Sequence, residues 1–256
     1  MRNIAILALT GWRENLRSRF YLLTLAFAGF FLYASLILGV LAVEQELRVL
    51  LDFGLGFIEL VGLAGAIHGA TTMILREMDT KTIYLILARP VRRGEYLLGR
   101  FLGLMLSVLA SMLLMAAFHL AILWFKGWRG PEPYALALLG AYLKVLVTAA
   151  LATFLALFSS SVLAAGVISG VLWTLGHFLP EIRFLISHGA GRAAVAPLTF
   201  LSWVVPDLQL YNLRDRVTAT ALSAPEAALW WWGLYAALYA AAWLSLAWML
   251  LRRKEF

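Results

Sequence analysis

Between residues 20 and 43 the chain runs for 24 residues without a charge. A helix of that length, rising about 1.5 Å per residue, crosses the roughly 30 Å hydrocarbon core of a bilayer with some tilt. Long apolar runs recur at residues 53–75, 97–125, 134–158, 162–179 and 227–251, the first three each holding one charge, Glu59, Arg100 and Lys144. A chain that is 63% hydrophobic and only 14% charged cannot build the polar exterior of a soluble domain of its size. The expectation is an all-α, polytopic membrane protein, one domain over residues 1–256, with six transmembrane helices.

The sequence excludes several chemistries. It has no cysteine, hence no disulfide, no thiolate nucleophile and no cysteine-based metal site. There is no G-x-x-x-x-G-K-[ST], and no Gly-Lys pair at all, so no Walker-type nucleotide loop. H-E-x-x-H and G-x-S-x-G are also missing; the nearest approach is Gly166-Val-Ile-Ser169-Gly170. No Asp lies deep in a span, which disfavours an intramembrane aspartyl protease. No catalytic residue and no metal ligand set is assigned. The net charge of +7 is scattered between spans and is no nucleic-acid signature.

The polar segments carry the organisation. Residues 3–19 read as an amphipathic helix lying on the membrane, not as a signal peptide. Leu9, Trp12, Leu16 and Phe20 share one face, with Arg13 and Arg17 on another. Residues 76–103 form a charged island with six Lys and Arg residues and three carboxylates. Within it Ile83, Leu85, Ile86 and Leu87 make an apolar patch, Pro90 ends the patch, and Arg92, Arg93 and Glu95 lead into the next span. That pattern is too ordered for a bare loop and reads as a docking segment. Residues 180–228 are divided by Pro180, Pro197, Pro206 and Pro225 into apolar pieces too short to span, such as 193–205. They read as interfacial or re-entrant helices covered by other protein. Lys and Arg number thirteen on the side of the termini and the island and seven on the other. This places both termini and the island in the cytoplasm. No internal repeat is visible, which argues against an inverted-repeat secondary transporter.

Four ionisable residues fall within spans: Glu59, His68, His119 and Lys144. Charge at membrane depth is expensive, so each is a candidate for a conduit. Glu59 and Lys144 either line a solvated path or serve as a structural pair. His68 and His119 fit neutral, hydrogen-bonded core positions equally well, and a two-His metal site has no supporting spacing. The small residues from Gly62 to Gly69, and Gly166 with Gly170, read as faces for close helix packing, within one chain or across a dimer.

The residues Glu77, Thr82-Ile83, Leu87-Ala88-Arg89-Pro90-Val91-Arg92-Arg93-Gly94-Glu95-Tyr96 and Leu98-Gly99-Arg100-Phe101-Leu102-Gly103 carry a resemblance. They are similar to the cytoplasmic segment of ABC-2-type ABC transporter permeases, closest to the NosY-like branch linked to multicopper enzyme maturation. The entry around Arg13, the six-span layout, the long loop between spans five and six and the basic tail are similar too. Lys81 stands where the family usually has Gly, Arg92 where Ser or Thr is common, and Arg100 where Lys is common. The resemblance implies the permease subunit of an exporter in the cytoplasmic (inner) membrane of a bacterium. It would pair with a second copy or a sister permease. Two separate ATPase subunits would hold ATP and Mg, so this chain would carry no cofactor and catalyse no hydrolysis itself. The resemblance further implies a coupling helix drawn from Arg76, Glu77, Asp79, Thr80, Thr82, Pro90, Arg92, Arg93 and Glu95. An elbow helix bearing Trp12, Arg13 and Arg17 would flank it, with an extracytoplasmic gate between spans five and six. The rival readings are a stand-alone intramembrane enzyme using Glu59, His68 or His119, and a non-transporting membrane scaffold.

Overall fold

A computed structural model describes residues 2–17, 45–83, 91–188, 191–214 and 226–254, with single positions between 22 and 37. The expected first span and Pro90 lie outside the described residues, apart from those single positions. Eight α-helices and no strand occur among the described residues. They are α1 (Arg2–Leu16), α2 (Glu46–Asp79), α3 (Arg93–Phe125) and α4 (Pro131–Ser159), then α5 (Val162–His177), α6 (Leu179–His188), α7 (Arg192–Val204) and α8 (Glu226–Arg253). Four of them, α2, α3, α4 and α8, are long and apolar enough to cross a membrane. The pair α5 and α6 passes the same test together but bends by 61°, as a broken span or a re-entrant loop.

The spans are longer than their apolar cores. Residues 53–75 become a helix from Glu46 to Asp79, because backbone hydrogen bonding continues past the point where the side chains turn polar. The added turns place Glu46 against Lys126, at 2.5 Å, where α3 ends. Pro180 does not close the fifth span. The break is at Phe178, and Pro180 sits in the first turn of α6, where its missing N–H removes no helical bond. Pro197 does not divide the connector either; it lies inside α7. The Ser159–Ser161 link is a true stop and start. Ser160 adopts the left-handed region at φ 54°, and Ser161 Oγ then caps α5 by accepting from the Ala164 N–H.

Glycines set the helix contacts. On α2, Gly54, Gly62 and Gly69 face His119, Met112 and Leu104 of α3, an antiparallel register that descends as the glycine number rises. A Cβ on Gly62 would sit 2.9 Å from Met112 Sδ, so each glycine is a socket for a long side chain. On α3, Gly99 and Gly103 receive α1. A Cβ on Gly103 would lie 2.6 Å from the Ala8 carbonyl oxygen, and one on Gly99 2.6 Å from Leu7 Cβ. Helix α1 therefore runs parallel to the root of α3, with Asn3 near Glu95, Leu7 near Gly99 and Ala8 near Gly103. The face packed on α3 is a different one from the apolar face of Leu9, Trp12 and Leu16 expected to meet the membrane. Ala8 and Gly11 are buried and Leu9 points out, because a surface of two glycines seats small residues more closely than bulky ones. Gly166 and Gly170 on α5 differ: a Cβ at Gly170 would meet nothing within 4 Å.

Helix α4 is central, packed on α2, α5 and α8. Its middle is small and buried, with Ala149, Ala150 and Ala152 at 0% exposure, which lets three neighbours approach one helix. The outer face of α3, with Leu98, Leu102, Leu106 and Phe118, is exposed. A contiguous apolar face of that kind is unstable in water and natural in lipid.

Replacing Gly103 by Val forces α1 off the root of α3. The expected loss is ~1–3 kcal/mol, the usual range for overpacking, read as a lowered unfolding temperature of the detergent-solubilised chain. Gly170→Val, facing open space, leaves that temperature unchanged.

Candidate functional site

Helix α2 carries two buried carboxylates, one near its middle and one close to its C-terminal end. The first is Glu59, 1% exposed. Lys144 of α4, itself 2% exposed, brings Nζ to 3.1 Å from Oε1 and 3.3 Å from Oε2. The Arg214 guanidinium contacts Oε2 from the connector that returns after α7. His177, the last residue of α5, sets Nε2 3.8 Å from Oε1 and donates its Nδ1–H to the Trp173 carbonyl oxygen at 3.0 Å. One carboxylate thus meets a lysine, an arginine and an imidazole, contributed by two helices and a loop.

The connector reaches Glu59 because two glycines make room. A Cβ on Gly176 would lie 2.8 Å from the Pro206 carbonyl oxygen, and one on Gly140 2.5 Å from that of Tyr211. The Leu208 N–H donates to the Gly176 carbonyl at 3.1 Å, and the buried Tyr211 hydroxyl donates to the Trp232 carbonyl at 3.1 Å. The Asp207 N–H donates to the Tyr235 hydroxyl at 3.0 Å, and the Asp207 carboxylate accepts from Arg183 at 2.7 Å. Irregular backbone at this depth is stable only when its polar groups are met by protein, and here the helix ends and tyrosines meet them.

The second carboxylate is Glu77, one turn from the end of α2. The Tyr96 hydroxyl donates to its Oε2 at 2.6 Å, and Arg100 Nη2 contacts Oε1. Arg100 Nη1 in turn donates to Glu14 Oε2 of α1 at 2.8 Å. Three helices are joined through one guanidinium. Next to it, Glu95 accepts from the Arg92 N–H at 3.1 Å and caps α3. Arg93 Nη1 donates to the carbonyls of Leu251, Arg252 and Lys254 at 2.8–3.0 Å, closing the C-terminus of α8. Lys254 Nζ donates to Ser160 Oγ at 2.9 Å, and its burial pulls the ammonium pKa below its ordinary value.

Of the docking helix and flanks expected between Glu77 and Glu95, the described residues are the end of α2, a turn and the start of α3. Helix α2 continues through Asp79, since nothing in its sequence interrupts the backbone ladder there, and a turn follows at Thr80 and Lys81. Lys81 has φ 58°, the left-handed region glycine adopts without strain. Thr80 Oγ1 donates to the Arg76 carbonyl at 2.8 Å and lies 2.9 Å from Thr82 Oγ1. Arg76, Asp79, Thr80, Lys81, Thr82 and Arg92 are exposed, whereas Glu77, Arg93 and Glu95 are engaged in the fold. On α1, Arg13 and Arg17 are exposed and Trp12 packs beside Gly103.

The four intramembrane candidates do not converge on one path. Only Glu59 and Lys144 meet. His119 is fully buried between helices, with Nδ1 3.0 Å from the Tyr134 hydroxyl and Nε2 3.2 Å from the Leu50 carbonyl oxygen. Both ring nitrogens are met by the protein, which makes it a clamp on α2, α3 and α4. His68 lines a separate cleft between α1, α2 and α3. No cluster of three metal-ligating side chains occurs among the described residues. Sequence reasoning missed Arg214, His177, Glu14 and Tyr96 as partners. Arg214 sits in a polar stretch where nothing local marks it; the only signal was a carboxylate inside a span, which demands cations from somewhere.

Two stability outcomes follow. Glu59→Gln leaves Lys144 and Arg214 facing a neutral amide, and the expected loss is about 3–5 kcal/mol, as for breaking a buried pair. Lys144→Met loses less, because Arg214 still meets the carboxylate, and the double variant recovers part of the Glu59→Gln loss. Unfolding temperatures in detergent rank the three. Lys81→Gly relieves the left-handed backbone and raises stability by ~0.5–1 kcal/mol after the entropy of glycine is subtracted, by the same measurement.

Among curated proteins the chain has no match. The family model described as ABC-2 family transporter protein matches residues 11–254. That interval takes in α2 to α8 whole and most of the second half of α1, including both buried carboxylates. The chain belongs to the ABC-2 transporter family, a multi-pass membrane protein of permease type.

Proposed function

We propose that this chain is the membrane-spanning permease subunit of an ABC exporter, driven by separate ATPase subunits that hold ATP and Mg. The observation that carries the reading is the Glu77–Arg100–Glu14 network with Tyr96. The exposed residues Asp79, Thr80, Lys81, Thr82 and Arg92 lie directly beyond it and form the docking rim. A push on that rim reaches α1, α2 and α3 together, since one guanidinium ties them. Rim charges of this kind set register and association rate more than affinity. In the full reading the span at residues 20–43 completes six, the termini and rim face the cytoplasm of a bacterial inner membrane, and two permeases pair. Membership of the NosY-like branch belongs to the same proposal, on the island residues quoted above.

The connector after α6 serves as the outer gate, with Arg214 as its latch. Glu59 and Lys144 balance each other, so Arg214 can leave without stranding a buried charge. It is the partner with 30% exposure, against 1% for Glu59. ATP-driven motion then shifts a two-state equilibrium in which this latch is closed or open.

Two experiments test the reading. Co-purification from native membranes in mild detergent yields an ATPase, and Lys81→Glu with Arg92→Glu weakens its binding about tenfold or more through like-charge contact or lost pairing. Unchanged ATPase binding and turnover in that variant would sink the rim assignment. For the gate, a single Asn212→Cys in this cysteine-free chain reports accessibility. Arg214→Gln raises its labelling rate by a membrane-impermeant maleimide about tenfold, the equivalent of one charge-assisted hydrogen bond.

A further inference from the structure

A cleft of about 550 Å³ lies between α1, α2 and α3. That volume is in the range of pockets that hold a small molecule. It follows α2 from Val61 to Glu77, sixteen residues, or roughly 24 Å of helix. Its chemistry changes along that length. The mouth at the island end holds Glu14, Arg76, Glu77 and Arg100, two carboxylates and two guanidiniums. Arg100 is committed to both carboxylates. The Arg76 guanidinium has no hydrogen bond or ion pair among the described residues, and Glu14 is 64% exposed with Oε1 outside its pair. The mouth is neutral in sum, yet offers one uncommitted cation and one carboxylate with a free oxygen.

The deeper part is different. Thr72, Ser107 and Ser111 line it, but their hydroxyl protons go to their own helices. Thr72 donates to the His68 carbonyl at 2.7 Å, Ser107 to Gly103 at 2.9 Å and Ser111 to Val108 at 2.9 Å. With donors satisfied, this wall presents little polarity beside Val61, Leu104 and Val108 apart from the His68 imidazole, which also lines the cleft. Gly62, Gly65 and Gly69 keep the α2 side low. Charged groups at the membrane surface, then a narrow weakly polar channel toward mid-depth, repeat the order of groups in a lipid.

We propose that this cleft is a binding site for one zwitterionic phospholipid. Its phosphate meets Arg76, its cationic group meets Glu14, and one acyl chain runs along Ser107 and Ser111. A lipid with net negative charge would satisfy Arg76 but leave its remaining face against Glu14 and Glu77 without a partner. The site lies apart from the Glu59 cluster and from the exposed rim at Thr80 to Thr82. Binding to it is read without any ATPase, so its outcome is separate from that of the transport reading.

The test uses the full chain in nanodiscs of equimolar phosphatidylethanolamine and phosphatidylglycerol, followed by extraction into mild detergent and mass spectrometry of the retained lipid. The expected result is about one lipid per chain, with phosphatidylethanolamine enriched about tenfold, the scale of one charge-assisted hydrogen bond. Arg76→Glu reduces its retention about tenfold by removing the phosphate contact. Ser111→Phe fills the channel and removes the retained lipid altogether. Equal retention of the two lipids, or retention unaltered by Arg76→Glu, overturns the proposal. Arg76 is exposed, so its variant carries the test even where Ser111→Phe disturbs folding.

Discussion

A carboxylate buried at membrane depth has to be met by cations, and in this protein that demand at Glu59 assembles the half of the fold away from the island. Lys144 brings α4, His177 brings the end of α5, and Arg214 pulls the connector inward. Removing an ion from water is worth several kcal/mol against folding unless paired geometry offsets it. The cluster is thus less a source of stability than a condition on arrangement. Helices that failed to deliver a cation to that point would leave a charge stranded in hydrocarbon.

The same helix repeats the device close to its island end. Glu77 follows Glu59 by eighteen residues, five turns or roughly 27 Å along α2. It gathers Tyr96 and Arg100 of α3 and, through Arg100, Glu14 of α1. Helix α2 is therefore a rod with one ionic junction near its middle and one close to its island end. Between them its glycines lock onto α3 at Gly62 and Gly69. A movement imposed at the island end cannot be absorbed by soft packing in between, which is the mechanical property a permease driven from one side requires. Arg93 and Glu95 serve the same rigidity by capping α8 and α3.

Much of this was legible in the chain. Uninterrupted apolar runs announced the long helices, and four of them stand where expected, with a fifth in the bent pair of α5 and α6. The Ser159–Ser161 link and the glycines of α2 and α3 were readable as a turn and as close-packing faces. Gly166 and Gly170 looked the same in sequence, yet within this chain a Cβ at Gly166 would touch Ile67 at 3.9 Å and one at Gly170 would meet nothing within 4 Å, because spacing shows that two helices can approach and not whether a partner is there. The departure at Lys81 was visible as a missing glycine; the positive φ gives its physical meaning.

The sequence by itself determined the class of protein and the order of its helices, since hydrophobic length and charge placement act locally and the bilayer reads them directly. It also determined that Glu59 and Lys144 needed partners. Only the tertiary structure decided which. Arg214 lies 155 residues from Glu59 and reaches it because Gly140 and Gly176 open a way for the connector. In the same manner, the described residues of the island are the end of α2, a left-handed turn at Lys81 and a capped start of α3. Pairing across a fold depends on the summed geometry of many contacts, and no local pattern encodes that sum.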